Sequence, residues 1–336
     1  MSTNNQPSTQ VVVITGGTAG VGRATARAFA KRGAHIGLLA RGRTGLDATR
    51  KEVEALGGKA ITVQGDVANS EDVERLAEET EAAFGPIDVW INNAMVTVYA
   101  ELQEITPEEY RRVTDVCYHG QVFGTMTALR RMRPRDRGTI VLVGSALAYR
   151  GIPLQSAYCG AKHAIQGMFD SVRSELLHHD SAVRIVMVQM PGLNTPQFEW
   201  GRNKLPNKPK PASPPYQPEI AADAVVYAAT DGRDRREIYV GYPSVQAIVG
   251  NKVAPRLGDR YLARMAFEGQ QRDEPVDPDR KDNLFEPVEG DFGAHGPFDG
   301  KAKERSPQLW ATMHKSWVLG AAAVAGLVGT ALARRS

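Results

Sequence analysis

Val11-Val12-Val13-Ile14-Thr15 is an unbroken β-branched run, and it leads straight into Gly16-Gly17-Thr18-Ala19-Gly20-Val21-Gly22. The first part reads as a buried strand. The second can turn tightly, because glycine tolerates backbone angles that other residues avoid. Val21 to Arg32 then has the pattern of a helix. Strand, Gly-rich turn and helix start in succession let backbone N–H groups and the positive end of a helix dipole face an anion. A Gly-rich stretch alone says little. At the first strand of an α/β pattern it predicts a cradle for a dinucleotide pyrophosphate.

The rest of the chain supplies that pattern. Further strands are predicted at His35–Ala40, Ala60–Gln64, Ile87–Ile91, Gly138–Val143, Val183–Gln189 and Glu237–Gly241. Helices are predicted at Thr44–Leu56, Asn69–Phe84, Pro107–Arg133, Gln155–His178 and Ile220–Thr230. Such alternation implies an α/β fold, a doubly wound parallel sheet with helices on both faces and ligands at the carboxyl ends of the strands. The net charge of +3 makes no demand for nucleic acid. Cys117 and Cys159 fit no metal or disulfide spacing, so no metal is expected and both read as free thiols in a reducing, cytoplasmic setting.

The domain is expected over residues 11–265, after a disordered polar N-terminus, 1–10, that lacks the apolar core of a secretory signal. Trp200 to Pro218, dense in Pro and Lys, sits where a loop would overhang the ligand crevice and is expected to be a mobile substrate lid. Residues 266–310 are polar and read as a disordered or loosely packed tail. Residues 311–336 read as an apolar C-terminal helix. Within it Trp317 to Ala333 is uncharged and is followed by Arg334 and Arg335. It is barely long enough to span a bilayer. A docking helix and a membrane anchor both stay open, with a lean to the anchor.

The end of the second strand selects the nucleotide. A carboxylate there would hydrogen-bond a ribose 2′-hydroxyl, whereas arginine accommodates a 2′-phosphate. The chain reads Leu39-Ala40-Arg41-Gly42-Arg43, so NADP(H) is expected, with Arg41 as the main contact and Arg43 as a second. Tyr158 and Lys162 stand four apart on a predicted helix, hence on one face. A nearby ammonium lowers the pKa of a phenol from about 10. Tyr158 can then serve as general acid in carbonyl reduction and as general base in the reverse reaction.

The spacing Thr15-Gly16-x-x-x-Gly20-x-Gly22, with Ser145 thirteen residues before Tyr158, resembles the short-chain dehydrogenase/reductase family in its compact single-domain branch. The resemblance covers Val11 to Gly241. It implies a Rossmann-type fold and a catalytic set of Ser145, Tyr158 and Lys162, with Ser145 polarising the substrate oxygen. It implies cofactor contacts from Thr15, Gly16, Gly20, Val21 and Gly22 in the turn. Asp66 and Val67 would lie at the adenine, Asn93 and Ala94 along the cofactor, and Lys162 at the nicotinamide ribose. Pro191, Gly192 and Thr195 would meet the nicotinamide. Met95 stands where the family usually has Gly, and is expected to alter the pocket near the adenosine. The resemblance also implies a homodimer or homotetramer built on the helices around 107–133 and 155–178.

One departure stands out. Cys117 occupies the place of an Asn that helps relay protons to the lysine, and a thiol cannot reproduce an amide's hydrogen bonds. Three readings follow: another group relays the proton, the enzyme is slow, or the site is a non-catalytic NADP(H) sensor or scaffold. The first is favoured because Ser145, Tyr158 and Lys162 are all retained. The expected function is an NADP(H)-dependent oxidoreductase interconverting a carbonyl and a hydroxyl, acting on a small, moderately hydrophobic molecule. An extended-branch epimerase is disfavoured by the glycine spacing.

Overall fold

The computed structural model describes residues 9–315. Its centre is a seven-stranded parallel sheet built from β1 (Val11–Thr15), β2 (His35–Ala40), β3 (Lys59–Gln64), β4 (Val89–Asn92), β5 (Thr139–Ser145), β6 (Arg184–Met190) and β7 (Glu237–Tyr239). The spatial order is β7-β6-β5-β4-β1-β2-β3. The winding reverses between β1 and β4, and that switch opens the crevice in which such sheets bind ligands.

Side chains alternate across each strand, so the sheet has two apolar faces. Val11, Val13, Ile140 and Leu142 pack into one layer with α3 (Ser70–Phe84), α4 (Pro107–Thr114), α5 (Gly120–Met132) and α6 (Ser156–His178). Val12, Ile14, Val141 and Val143 pack into the other with α1 (Gly20–Ala30), α2 (Arg43–Ala55) and α7 (Pro218–Ala229). The doubly wound expectation holds.

The single helix expected over Pro107–Arg133 is divided. A capping box between Thr106 and Glu109, with Pro107 at the first position, starts α4. A π-helical turn, Asp115–His119, separates it from α5. The extra residue of such a turn rotates the side chains that follow, and these turns often mark functional sites. Cys117 lies within it.

Two helices after β7 were not anticipated: α8 (Gly241–Val253) and α9 (Pro255–Gly269). The lid segment is also more structured than expected. Arg202–Asn203 pairs with Val98–Tyr99, and Asn207–Pro209 pairs with Gln271–Pro275. Arg202 and Lys204 both bind Glu109, at 2.9 and 2.7 Å. The segment is thus laced to the body of the domain rather than hanging free.

The expectation of a loosely packed tail over 266–310 does not fit the structure. Polar composition suggested that this stretch could not bury enough apolar surface to order itself. Instead it lies along the domain as a strap held by charge and main-chain hydrogen bonds, its own Leu284 and Ala294 buried. It ends in α10 (Pro307–Met313), whose Leu309 enters the second apolar layer. Among the described residues no helix is long and apolar enough to cross a membrane. The run 317–333 lies outside the described residues, as does most of the N-terminal segment.

Candidate active site

The Gly-rich turn stands at the carboxyl end of β1. Gly16 has φ +67°, and a side chain there would meet the backbone of Ala94 at 2.7 Å. At Gly22 a side chain would meet the Gly16 carbonyl oxygen at 2.2 Å. Asn93 braces the turn, its amide donating to the carbonyls of Thr15 and Gly16 at 3.1 and 3.0 Å. The Thr15 hydroxyl accepts from the Asn93 N–H at 3.0 Å. Thr15 and Gly22 therefore hold the turn from behind, while Gly16, Gly20 and Val21 line the cleft. Ala19, at the N-cap of α1, offers no side-chain cap, and the first turn holds no acidic residue. That helix end is shaped for an anion, as a cofactor pyrophosphate requires.

Arg41, Asp66, Val67, Asn93, Ala94 and Lys162 line the same cleft, as do Pro191 and Thr195. Gly192 does not; it lines a second cavity that opens beyond Ser145 and Tyr158. Met95 borders both spaces, at the junction beside Ser145 and Tyr158. Its bulk therefore bears on the reacting end of the site, which corrects the expectation that it acts near the adenosine. Val96 to Ala100 and Ala146 to Leu154 were expected around the substrate; Tyr99, Ala146 and Leu147 are there.

Ser145 ends β5, and Tyr158 and Lys162 face it from one side of α6. Lys162 is almost wholly buried, and its Nζ donates to the Val143 carbonyl at 2.6 Å. The same Nζ lies 5.5 Å from the centre of the Tyr158 ring. Desolvation lowers the Lys162 ammonium to about 8. Desolvation drives the Tyr158 hydroxyl well above its ordinary value, and the hydrogen bond with the Ser145 hydroxyl opposes this. Tyr158 thus carries its proton at neutral pH, as a general acid must.

Cys117 is fully buried. Its Sγ donates to the Val96 carbonyl at 3.1 Å and accepts from the Val96 N–H at 3.4 Å. Burial pushes the thiol up, so it stays protonated and unreactive. One turn later, Gln121 donates through Nε2 to Val143 O at 3.2 Å, while its Oε1 is buried without a partner. The sequence reading missed Gln121. Its signal was an amide-bearing side chain only four positions after Cys117, within reach of the same site along a helix.

The strap was missed as well. Arg41 donates to the carbonyls of Asn283, Leu284 and Phe285, the last at 2.8 Å. Arg112 donates to Leu284 O at 2.9 Å and pairs with Asp66. Burial and the neighbouring Arg112 cation lower Arg41 from the usual arginine value. The buried Arg23 joins Glu52, at 2.8 Å, to Asp291 of the strap. Gly20 N–H donates to Gly293 O at 3.2 Å. Arg41, expected to hold a 2′-phosphate, is in this structure engaged by strap carbonyls at the edge of the cleft. Arg43 points to solvent beside Asp47, at 3.4 Å.

A profile of the family described as short chain dehydrogenase matches residues 10–204. Over 328 residues the chain is 33% identical to a Bacillus subtilis protein named uncharacterized oxidoreductase YxnA, covering 97% of this chain and 91% of that one. It is 32% identical over 224 residues to the 3-oxoacyl-[acyl-carrier-protein] reductase of a Synechocystis strain, covering 66% of this chain and 90% of that one. A solved metagenomic short-chain oxidoreductase in complex with NADP matches the fold with a TM-score of 0.58 and 28% identity, over 69% of this chain and 95% of that one.

Proposed function

The chain belongs to the short-chain dehydrogenase family, and from that premise we propose that it is an NADP(H)-dependent oxidoreductase that interconverts a carbonyl and a hydroxyl. The observation that carries this reading is the convergence of Ser145, Tyr158 and Lys162 where the nucleotide cleft meets the second cavity. A nicotinamide held in this cleft would supply or accept the hydride. In reduction, Ser145 and Tyr158 hold the substrate oxygen, and Tyr158 gives its proton to the developing alkoxide. Lys162, charged below about pH 8, stabilises the phenolate left behind. Thr195, with Pro191, walls the cleft on the far side of the Gly-rich turn, and its methyl would touch any side chain placed at Gly20.

Support for NADP(H) comes from the Arg41 cation at the rim of the cleft and from the absence of a carboxylate at the end of β2. A preference for NAD(H) has one observation in its favour. Glu289 of the strap accepts from Thr44 Oγ1 at 3.2 Å, at the start of α2, where a carboxylate would oppose a 2′-phosphate. NADPH and NADH oxidation over a panel of ketones, aldehydes and quinones separates the two. The proposal expects NADPH to be favoured and Arg41→Ala to abolish the preference. NADH favoured in the wild type, with Glu289→Gln shifting it toward NADPH, would support the second reading instead.

A further inference from the structure

Helices α8 and α9 carry a surface that the chemistry of the site does not use. Leu257, Tyr261 and Met265 recur every four residues along α9 and are 65%, 65% and 56% exposed. That spacing makes one apolar stripe on one helix face. Arg256, Arg260 and Arg264 form a second exposed stripe beside it. On the adjoining α8, Val249 and Val253 are exposed with the same spacing, Val253 by 79%. Only Ala266 of α9 is buried. Arg150 ties the pair of helices to the domain, reaching Asp259 of α9 at 2.6 Å and Asn251 of α8 at 3.1 Å. Large apolar side chains clustered on a surface mark an interaction site.

We propose that this face of α8 and α9 docks on an anionic lipid surface. Charge selects that occupant. Lys252, Arg256, Arg260 and Arg264 outnumber the carboxylates Asp259 and Glu268, and Asp259 is already paired with Arg150. A second copy packed antiparallel on this stripe, with the two-fold axis across the helix, would bring the arginine stripes side by side. An apolar stripe flanked by arginines suits a bilayer interface, where the apolar groups enter the acyl boundary and the cations meet lipid phosphates. The course of the chain agrees. α10 packs against α8 and exposes Trp310, a residue favoured at membrane interfaces. Beyond it the sequence continues into the uncharged run 317–333, closed by Arg334 and Arg335. Pro243 and Ser244 of α8 also wall the second cavity, so the docked face borders the site.

The test is co-sedimentation of the full chain with phosphatidylcholine vesicles, with and without phosphatidylglycerol. Wild type is expected to bind vesicles containing phosphatidylglycerol. Leu257→Ser/Tyr261→Ser/Met265→Ser in the same chain is expected to weaken that binding by roughly tenfold or more, since each side chain loses its apolar burial. Arg256→Gln/Arg260→Gln/Arg264→Gln is expected to remove the preference for the anionic lipid and its salt dependence. A thermal melt checks that both variants remain folded. Absence of wild-type binding would overturn the proposal, as would binding equally strong in both variants, which would assign it to another segment. Loss of dimerisation in the apolar variant with unchanged vesicle binding would also overturn it and assign the face to a subunit contact.

Discussion

Lys162 and Gln121 share one acceptor: Lys162 Nζ and Gln121 Nε2 both donate to the carbonyl oxygen of Val143, at 2.6 and 3.2 Å. That oxygen is the only hydrogen-bond acceptor of Lys162 among the described residues, so its direction fixes where the ammonium stands. Gln121 is a positioning residue in this account. It lies one turn beyond Cys117, which has turned away to the Val96 backbone. Gln121→Met keeps the volume and removes the donor. We expect kcat to fall by roughly tenfold with KM little changed, as for a hydrogen bond of modest net strength. The pH–rate profile should also move, because the Lys162 environment changes. A stability loss with an unmoved profile would make Gln121 merely structural.

Lys162 sets a pH dependence with a definite sign. Its folded value, about 8, lies below the ordinary 10.5. Between those two values the unfolded chain holds a proton that the folded one has released, so this group makes stability rise with pH across that window. In Lys162→Met that rise should be absent, which chemical denaturation at several pH values from about 8 to 10.5 measures. Carbonyl reduction by the wild type should slow over the same range, as the charge beside Tyr158 is lost.

Acid acts at the strap. Against the upward push of desolvation, hydrogen bonds from Arg27 and Arg23 hold Glu52 down to about 2. The stability this gives is present above 4.5 and is lost as pH falls toward 2. Glu52→Gln should flatten that acid limb and cost about 1–3 kcal/mol at neutral pH, since the buried Arg23 loses one of its two carboxylates and keeps Asp291. Asp291→Asn should leave the fold intact while making the strap cleavable near residues 283–293 in limited proteolysis. Unchanged cleavage would mean that the remaining ties, from Arg41, Arg112 and the Gly20 N–H, secure it without Asp291.

Both thiols should be silent in the native protein. Cys117 is fully buried, and burial raises the pKa of each cysteine. Labelling with a disulfide reagent is expected only after unfolding. Rapid reaction of Cys117 in the folded state would revive a redox role for it.

The sheet was legible because buried parallel strands are continuous apolar runs, as at Val11–Thr15 and Thr139–Ser145, and the Gly-rich turn sits where the first of them ends. Tyr158 and Lys162 were legible because their spacing means proximity on any helix. What escaped were contacts between segments distant in the chain. No local pattern told that Arg41 would meet carbonyls 242 to 244 residues away. The strap looked disordered because its order comes from salt bridges and main-chain bonds rather than an apolar face of its own. Helices α8 and α9 escaped for the opposite reason: apart from the buried Ile248 and Ala266, most of their large apolar residues face outward, so burial explains little of them. Gln121 escaped because a glutamine in a helix reads as solvent-facing, and only the packing against β5 shows it buried beside Val143.

The central claim is that Tyr158 moves the proton, and its most direct test is turnover of a carbonyl substrate with NADPH by Tyr158→Phe beside the wild type. The variant removes one hydroxyl from a half-buried ring, so folding and cofactor affinity, followed by nucleotide fluorescence, should persist. Turnover should fall by about 10²–10⁴-fold, the usual contribution of a positioned acid or base. A Tyr158→Phe protein that binds NADPH and turns over at the wild-type rate would contradict the account.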